Sequence, residues 1–367
     1  MKQQIVGLML LLCAPFFGVS QDEVTWQVER LLRESAFSEA EELLTKQMEK
    51  DSTQAQWYYY QGVVCAKQYK YLQAKSYFQK AALLDTPTLL YWHQLAAMEV
   101  KTGKPEEAIG IYQEYLLREP LKVIYAGELA GLYLKQRSYP QALGLYDALL
   151  AIEPGNYYFH KQAAFCHERL QHPKPAQRHY KKAIALYPDD LQLYTRLANN
   201  YIRERGFEQA QFVARKGLEQ DPQNVALQKI LAYSLYLNRQ FNASITQFGR
   251  VLSLGDTSQF TRKYFGLTLY QAQRYDTAAH WLNEAALWKG DDFEAVFFAG
   301  SALVRSGQTG SGIMWLWQAL QMITPPNKEV AEIYSEIAEG YIHSENYQQA
   351  AHYYKQAYGK NSKAIYS

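Results

Sequence analysis

Four of the eight histidines and a cysteine crowd into one short stretch, as His160, Cys166, His167, His172 and His179. Imidazole nitrogen and thiolate sulfur are ligands that zinc takes, so this cluster is the first place to look for chemistry. His160 and His167 are seven residues apart and share one face of a helix, which makes joint ligation geometrically open to them. The same spacing suits a packed, hydrogen-bonded pair; that is the reading adopted, and no metal is expected. His167-Glu168 opens like a zinc-protease motif, yet Gln171 stands where the second histidine is required, and the motif fails. Ser306-Gly307-Gln308-Thr309-Gly310-Ser311-Gly312 is glycine-rich but lacks the lysine that contacts phosphates, so it reads as a loosened turn. With no cofactor pattern left, a protein without catalysis is expected.

The composition is globular, with 367 residues, 48% hydrophobic and 20% charged. Lysine plus arginine number 38 against 36 for aspartate plus glutamate. Bulk charge therefore directs the chain to neither nucleic acid nor an anionic membrane. Tyrosines outnumber phenylalanines 31 to 15, which suits many half-buried sites with one wet end. Residues 1–20 read as a secretory signal peptide: Lys2, an apolar run from Ile5 to Val19, and Gly18-Val19-Ser20 ahead of Gln21. The run is too short to span a bilayer and no later one is longer. Export to the periplasm or cell envelope, with cleavage near Ser20-Gln21 and no transmembrane span, is expected. A lipid-modified Cys13 is the alternative, disfavoured by the bulky Leu12 before it.

The elements that must position any site come from self-similarity. Ala40, Ala74, Ala108, Ala142, Ala176, Ala210, Ser244, Ala278 and Gly312 recur every 34 residues, and Ala350 follows a four-residue insertion. With this residue as the twentieth of each repeat, ten repeats begin at Gln21, Ala55, Leu89, Val123, Tyr157, Leu191, Val225, Gln259, Phe293 and Ala331. The array covers 21–364, Asn327 to Val330 are the inserted residues, and 365–367 form a tail. Position eight is also small, as in Gly62, Ala96, Gly266 and Gly300, whereas position twenty-four is large, as in Phe78, Tyr112, Tyr146, Tyr180 and Phe248. Two helices must cross at the small residues, and the large ones fill the space they open. Pro105, Pro140 and Pro175 fall at helix starts, while Pro120, Pro154, Pro188 and Pro222 close repeats. Ser38 with Glu41 has capping-box spacing, and Thr324-Pro325-Pro326-Asn327-Lys328 interrupts the period as a joint before the last repeat. Cys65 and Cys166, three repeats apart, are expected as buried free thiols.

On these residues the chain resembles the tetratricopeptide repeat family. Trp92, Leu95, Ala96, Ala108 and Pro120 fit its pattern in the third repeat, and Leu197, Ala198, Tyr201, Ala210 and Pro222 in the sixth. The resemblance covers essentially the whole mature chain. It implies an all-α fold, a right-handed superhelical α-solenoid of about ten helix-turn-helix repeats whose first helices line a concave groove. Glu99 departs from the pattern at the usually apolar eleventh position. The family's carboxylate clamp is absent, because Lys161 at position five is followed by Phe165 at nine and by Arg196 at six of the next repeat.

The resemblance also implies which side chains face the groove. Position five presents Lys161, Thr195, Lys229 and Lys263, with Arg196, Asn199, Tyr233, Tyr236 and Tyr270 nearby. Cations there would bond carboxylates, and tyrosine rings would supply flat contact area at low entropic cost. The expected function is a scaffold that binds an extended peptide or helix from other proteins. A glycan or lipid-transport accessory protein, and an enzyme built on the histidine cluster, are the alternatives. In the final helix Tyr354 is expected to pack inward and Tyr353 and Tyr358 to be half exposed, as a polar cap or as an end-to-end homodimer contact through the C-terminal repeat.

Overall fold

The computed structural model describes residues 23–119, 122–288, 291–323 and 328–365. The expected signal peptide, Cys13, Pro120 and residues 324–327 of the interrupted segment lie outside the described residues. Every described element is an α-helix, and the chain divides into two compact units between Ile152 and Glu153. The first unit holds α1 (Glu23–Arg33), α2 (Phe37–Lys50), α3 (Ala55–Lys67), α4 (Tyr71–Leu84), α5 (Leu89–Lys101), α6 (Pro105–Arg118), α7 (Val123–Lys135) and α8 (Tyr139–Ile152). The second begins with α9 (Tyr157–Arg169), α10 (Pro173–Leu186), α11 (Leu191–Arg203), α12 (Phe207–Gln220), α13 (Val225–Leu237) and α14 (Phe241–Ser253). It continues through α15 (Gln259–Gln271), α16 (Tyr275–Trp288), α17 (Phe293–Arg305), α18 (Thr309–Gln321), α19 (Lys328–His343) and α20 (Tyr347–Ile365). Each unit is an all-α repeat solenoid in which consecutive helices pack on one another.

One turn, repeated, sets the period. Every odd-numbered helix ends at position thirteen of its repeat and every even-numbered helix starts at position seventeen. Between them, position fifteen is left-handed throughout, from Ser35 (φ 58°) and Tyr69 (φ 61°) to Glu345 (φ 59°), with glycine at only Gly103 and Gly307. The next N–H returns to the carbonyl of position eleven, as from Lys70 to Cys65 at 2.9 Å and from Gln240 to Leu235 at 2.9 Å. This is the six-to-one bond that closes a helix C-terminus. The closure also explains why no capping box forms at Ser38. Ala36 is delivered to the start of α2 by its N–H bond to Leu31 (2.9 Å), and the helix begins at Phe37, which leaves Ser38 inside the first turn.

Small and large columns pack as their sizes require. A Cβ on Gly62 would lie 2.7 Å from the Phe78 ring, and one on Gly266 2.7 Å from Leu282. Phe78, Tyr146, Tyr180 and Phe248 are fully buried. The following first helix contributes to that cover: the Phe248 ring sits 6.1 Å from Phe265. Gly312 faces backbone, with its missing Cβ 2.8 Å from the Gly300 carbonyl oxygen and 2.8 Å from the Val304 nitrogen. Gly312→Ala is therefore expected to destabilise by about 1–3 kcal/mol. Gly310→Ala in the same helix meets nothing within 4 Å and is the control. Urea midpoints of the two variants check this.

Two expectations at the C-terminal end need correction. Residues 328–330, counted as part of an insertion, are helical: α19 has 16 residues where the other first helices from α3 onward have 13. The added turn buries Val330, which is 1% exposed, and so extends the core instead of the loop. In α20, Tyr353 is the ring that packs inward, against Trp317, Tyr334 and Tyr341. Tyr354 reaches Glu339 on α19 with its hydroxyl at 2.7 Å and stays 37% exposed. Among the described residues no further first helix covers its column, as Phe265 covers Phe248.

Candidate functional site

In the second unit the residue before α9, α11, α13 and α17 caps the helix with its side chain. Asn156 accepts from the N–H groups of Tyr158 and Phe159, Asp190 from Gln192, Asn224 from Leu227 and Asp292 from Ala295. Lysines at position five reach these caps from the start of the same repeat. Lys161 donates to Asp190 at 2.6 Å and Lys263 to Asp292 at 2.8 Å. Lys229 pairs with Asp256 at 2.8 Å and donates to Ser258 at 3.2 Å. Burial pushes the Asp256 carboxyl up, but Lys229, the Ser258 N–H and the Thr261 hydroxyl outweigh it and hold the group at about 2. Burial likewise opposes the charge on Lys263, and Asp292 with Glu294 overcomes it and raises its pKa. Arg196 and Arg203 converge on Glu168 at 3.4 and 3.1 Å, and Arg305 meets Glu336 at 2.7 Å. The cations of this face are thus matched by the chain's own carboxylates.

Between α11, α13 and the start of α15 lies an open cleft of about 820 Å³. Thr195 and Asn199 of α11 form one side; Ala226, Lys229, Ile230 and Tyr233 of α13 face them. Leu254, Gly255 and Asp256 close it from the turn after α14, and Phe260 from α15. Phe260 is 36% exposed, and the Lys229 ammonium lies 5.4 Å from its ring centroid. Tyr233 packs edge-on against Phe260 (5.2 Å between centroids) and Tyr264 (4.5 Å). The cleft joins an apolar wall, one carboxamide, the hydroxyls of Thr195 and Tyr233 and an internally neutralised ion pair, a set able to bind and hold a ligand by contact and hydrogen bonds.

The histidine cluster is arranged differently from the expected pair. His160 on α9 meets His179 on α10, Nδ1 to Nδ1 at 3.0 Å, and its Nε2 reaches the Pro154 carbonyl at 3.0 Å. The His167 ring lies 5.5 Å from that of His179 and 5.8 Å from that of His172. The partner of His160 is therefore His179 and not His167. Among the described residues no group of three or more His, Cys, Asp or Glu side chains is placed to hold a metal ion. Cys65 and Cys166 are buried and form no disulfide with each other, and burial raises the pKa of Cys65.

The tetratricopeptide repeat family model matches residues 95–157. The C-terminal part of a TPR repeat-containing protein from Cytophaga hutchinsonii superposes with a TM-score of 0.57 at 15% identity, covering 65% of this chain and 98% of that one. Residues 95–157 are tetratricopeptide repeats, and the chain shares the fold of such proteins. A structure of Naa15/Naa10 bound to HypK-THB is also similar, with a TM-score of 0.50 at 12% identity, covering 94% of this chain and 64% of that one. Among curated proteins none matches significantly.

Of the residues expected on the groove, Thr195, Asn199, Lys229 and Tyr233 come together in the cleft. Lys161, Arg196 and Lys263 are engaged in ion pairs. Tyr236 packs on Tyr233 and Tyr264, and Tyr270 shares a 2.7 Å hydrogen bond with the Ser301 hydroxyl. Sequence reasoning passed over Phe260, Leu254 and the capping aspartates. The run Asn156, Asp190, Asn224, Ser258, Asp292 at position thirty-four was the available signal, since these are the residue types that cap helices.

Proposed function

We propose that the chain is a non-catalytic protein-interaction scaffold whose second unit holds an extended peptide in the cleft between α11, α13 and α15. The observation that carries this reading is the lining: Ile230, Leu254 and Phe260 offer an apolar seat beside Asn199 and Thr195. A carboxamide both donates and accepts, which matches a peptide unit. Because Lys229 is already bonded to Asp256, the ligand is anchored by an apolar side chain and not by a carboxylate. The tyrosine rings of this face pack on one another, which favours peptide over a sugar stacked on a free ring. A similar fold in the Naa15/Naa10 assembly is in keeping with a role among proteins. The charge and apolar run of residues 1–20 support action outside the cytoplasm after export.

A photo-reactive phenylalanine placed at Phe260 in intact cells should crosslink to a discrete partner segment. The recovered peptide should bind the Asn199→Ala/Tyr233→Ala variant at least about tenfold more weakly than the parent. Equal affinity for the two proteins would exclude the cleft.

A further inference from the structure

A second groove lies on the other helix layer, between α10 and α12. Its volume is about 520 Å³, and its floor is made by Tyr194, Leu197 and Tyr201 of α11. Phe212 stands in its wall and is 63% exposed. Phenylalanine is unusual there: position twenty-two elsewhere holds Glu42, Ser76, Gly110, Gly144, Arg178, Thr246, His280, Met314 and His352, of which only Met314 is large and apolar. Folding of the repeats does not use this ring, because it faces solvent.

The α10 side of the groove is charged with one sign. The 14 residues of α10 include Lys174, Arg178, Lys181 and Lys182 and no Asp or Glu. All four are exposed and none forms an ion pair among the described residues. Lys181 lines the groove and its ammonium sits 5.7 Å from the Tyr201 ring centroid. Lys216 lines the opposite rim and is shared with Glu219 at 3.0 Å. This contrasts with the first-helix face, where carboxylates of the chain answer the lysines.

We propose that the groove between α10 and α12 docks an acidic amphipathic helix of a partner protein. Its apolar stripe takes the floor and Phe212, and its carboxylates meet the basic rim. The flanking helices, 14 residues each, run roughly 21 Å, the length of four helical turns. An occupant of that length presents apolar anchors at i, i+3, i+4 and i+7. A recessed aromatic floor suits inserted side chains better than a flat lipid surface. Glu208 in the lining and Glu219 on the same helix break the positive surface that a phosphate backbone follows.

The probe is a fluorescein-labelled, helix-stapled 16-residue peptide with leucine and tryptophan on one stripe and glutamate elsewhere, titrated into the full chain. Binding is expected to weaken at least about tenfold in Phe212→Ser, and by a similar factor in Lys181→Glu/Lys182→Glu with a flatter salt dependence. Tyr233→Ala, in the cleft on the first-helix face, should leave it unchanged, which separates this site from the peptide cleft proposed above. Circular dichroism checks that the surface variants fold. The proposal falls if the peptide does not bind, if its lysine counterpart binds equally well, or if Phe212→Ser binds as tightly as the parent. It falls too if phosphatidylglycerol vesicles or a single-stranded oligonucleotide bind in its place and are lost in the same variants.

Discussion

Replacing Lys75 by methionine is expected to destabilise the first unit by about 3–5 kcal/mol, because it leaves a buried carboxylate without its partner. Glu99 occupies the eleventh position of its repeat, where the family carries an apolar residue, and its side chain is 9% exposed. Lys75, its side chain 22% exposed, brings its ammonium across from α4 to within 2.8 Å of the carboxylate. Taking both charges out of water is costly, and their attraction repays that cost only while both are present. The double variant Lys75→Met/Glu99→Leu should therefore recover most of the loss, since it restores an apolar column. Glu99→Leu alone should cost little, because the long lysine stem can carry its ammonium to water. Urea unfolding of the three variants decides the matter. A Lys75→Met midpoint within error of the parent, or a double variant no better than the single, would show that the pair does not stabilise the α4–α5 contact.

The pair illustrates what a sequence discloses and what it withholds. The constant spacing of the repeats was legible because one backbone turn, closed at position fifteen, separates the paired helices at every repeat. The alternation of small and large columns was legible because steric fit between neighbouring helices leaves so few residue types. Ion pairs follow a column only in part. Lys161 and Lys263 meet capping aspartates, Lys229 meets Asp256 two residues before a cap, and Lys75 meets Glu99 in the next repeat. Read along the chain, those lysines resemble free groove cations; only their stacked neighbours show the charges to be spent. The cleft was half visible for a similar reason. Thr195, Asn199, Lys229 and Tyr233 sit at groove positions of two repeats, whereas Leu254 belongs to a turn and Phe260 to a third repeat. In α20 the column rule names Tyr354, but Tyr353 stacks on Tyr334 and Tyr341 while the Tyr354 hydroxyl reaches Glu339.

Acidification should weaken the second unit through the paired histidines well before its carboxylates are protonated. The Pro154 carbonyl can only accept, so Nε2 of His160 carries a hydrogen and its Nδ1 is left to accept from the Nδ1–H of His179. A second proton would set two N–H groups against each other. Burial lowers the pKa of His160, and burial first, then the charges of His160, His167, Lys182 and Arg178, takes His179 down to about 4. In the unfolded chain His179 titrates near 6.5, so between those values the unfolded state binds more protons than the folded one. Stability from this residue is complete above the unfolded value and is lost as pH falls toward about 4, by roughly 1–3 kcal/mol once solvent screening of the half-buried ring is allowed for. Asp256 acts in a separate window: its folded value of about 2 lies below the ordinary 3.8, so its contribution begins to fall only in more acidic solution. Equilibrium unfolding measured from pH 7 to 4.5 should therefore show a slope that His179→Gln largely removes, because the amide can donate to His160 and cannot be charged. A flat profile for the parent, or the same slope in His179→Gln, would place the acid sensitivity elsewhere.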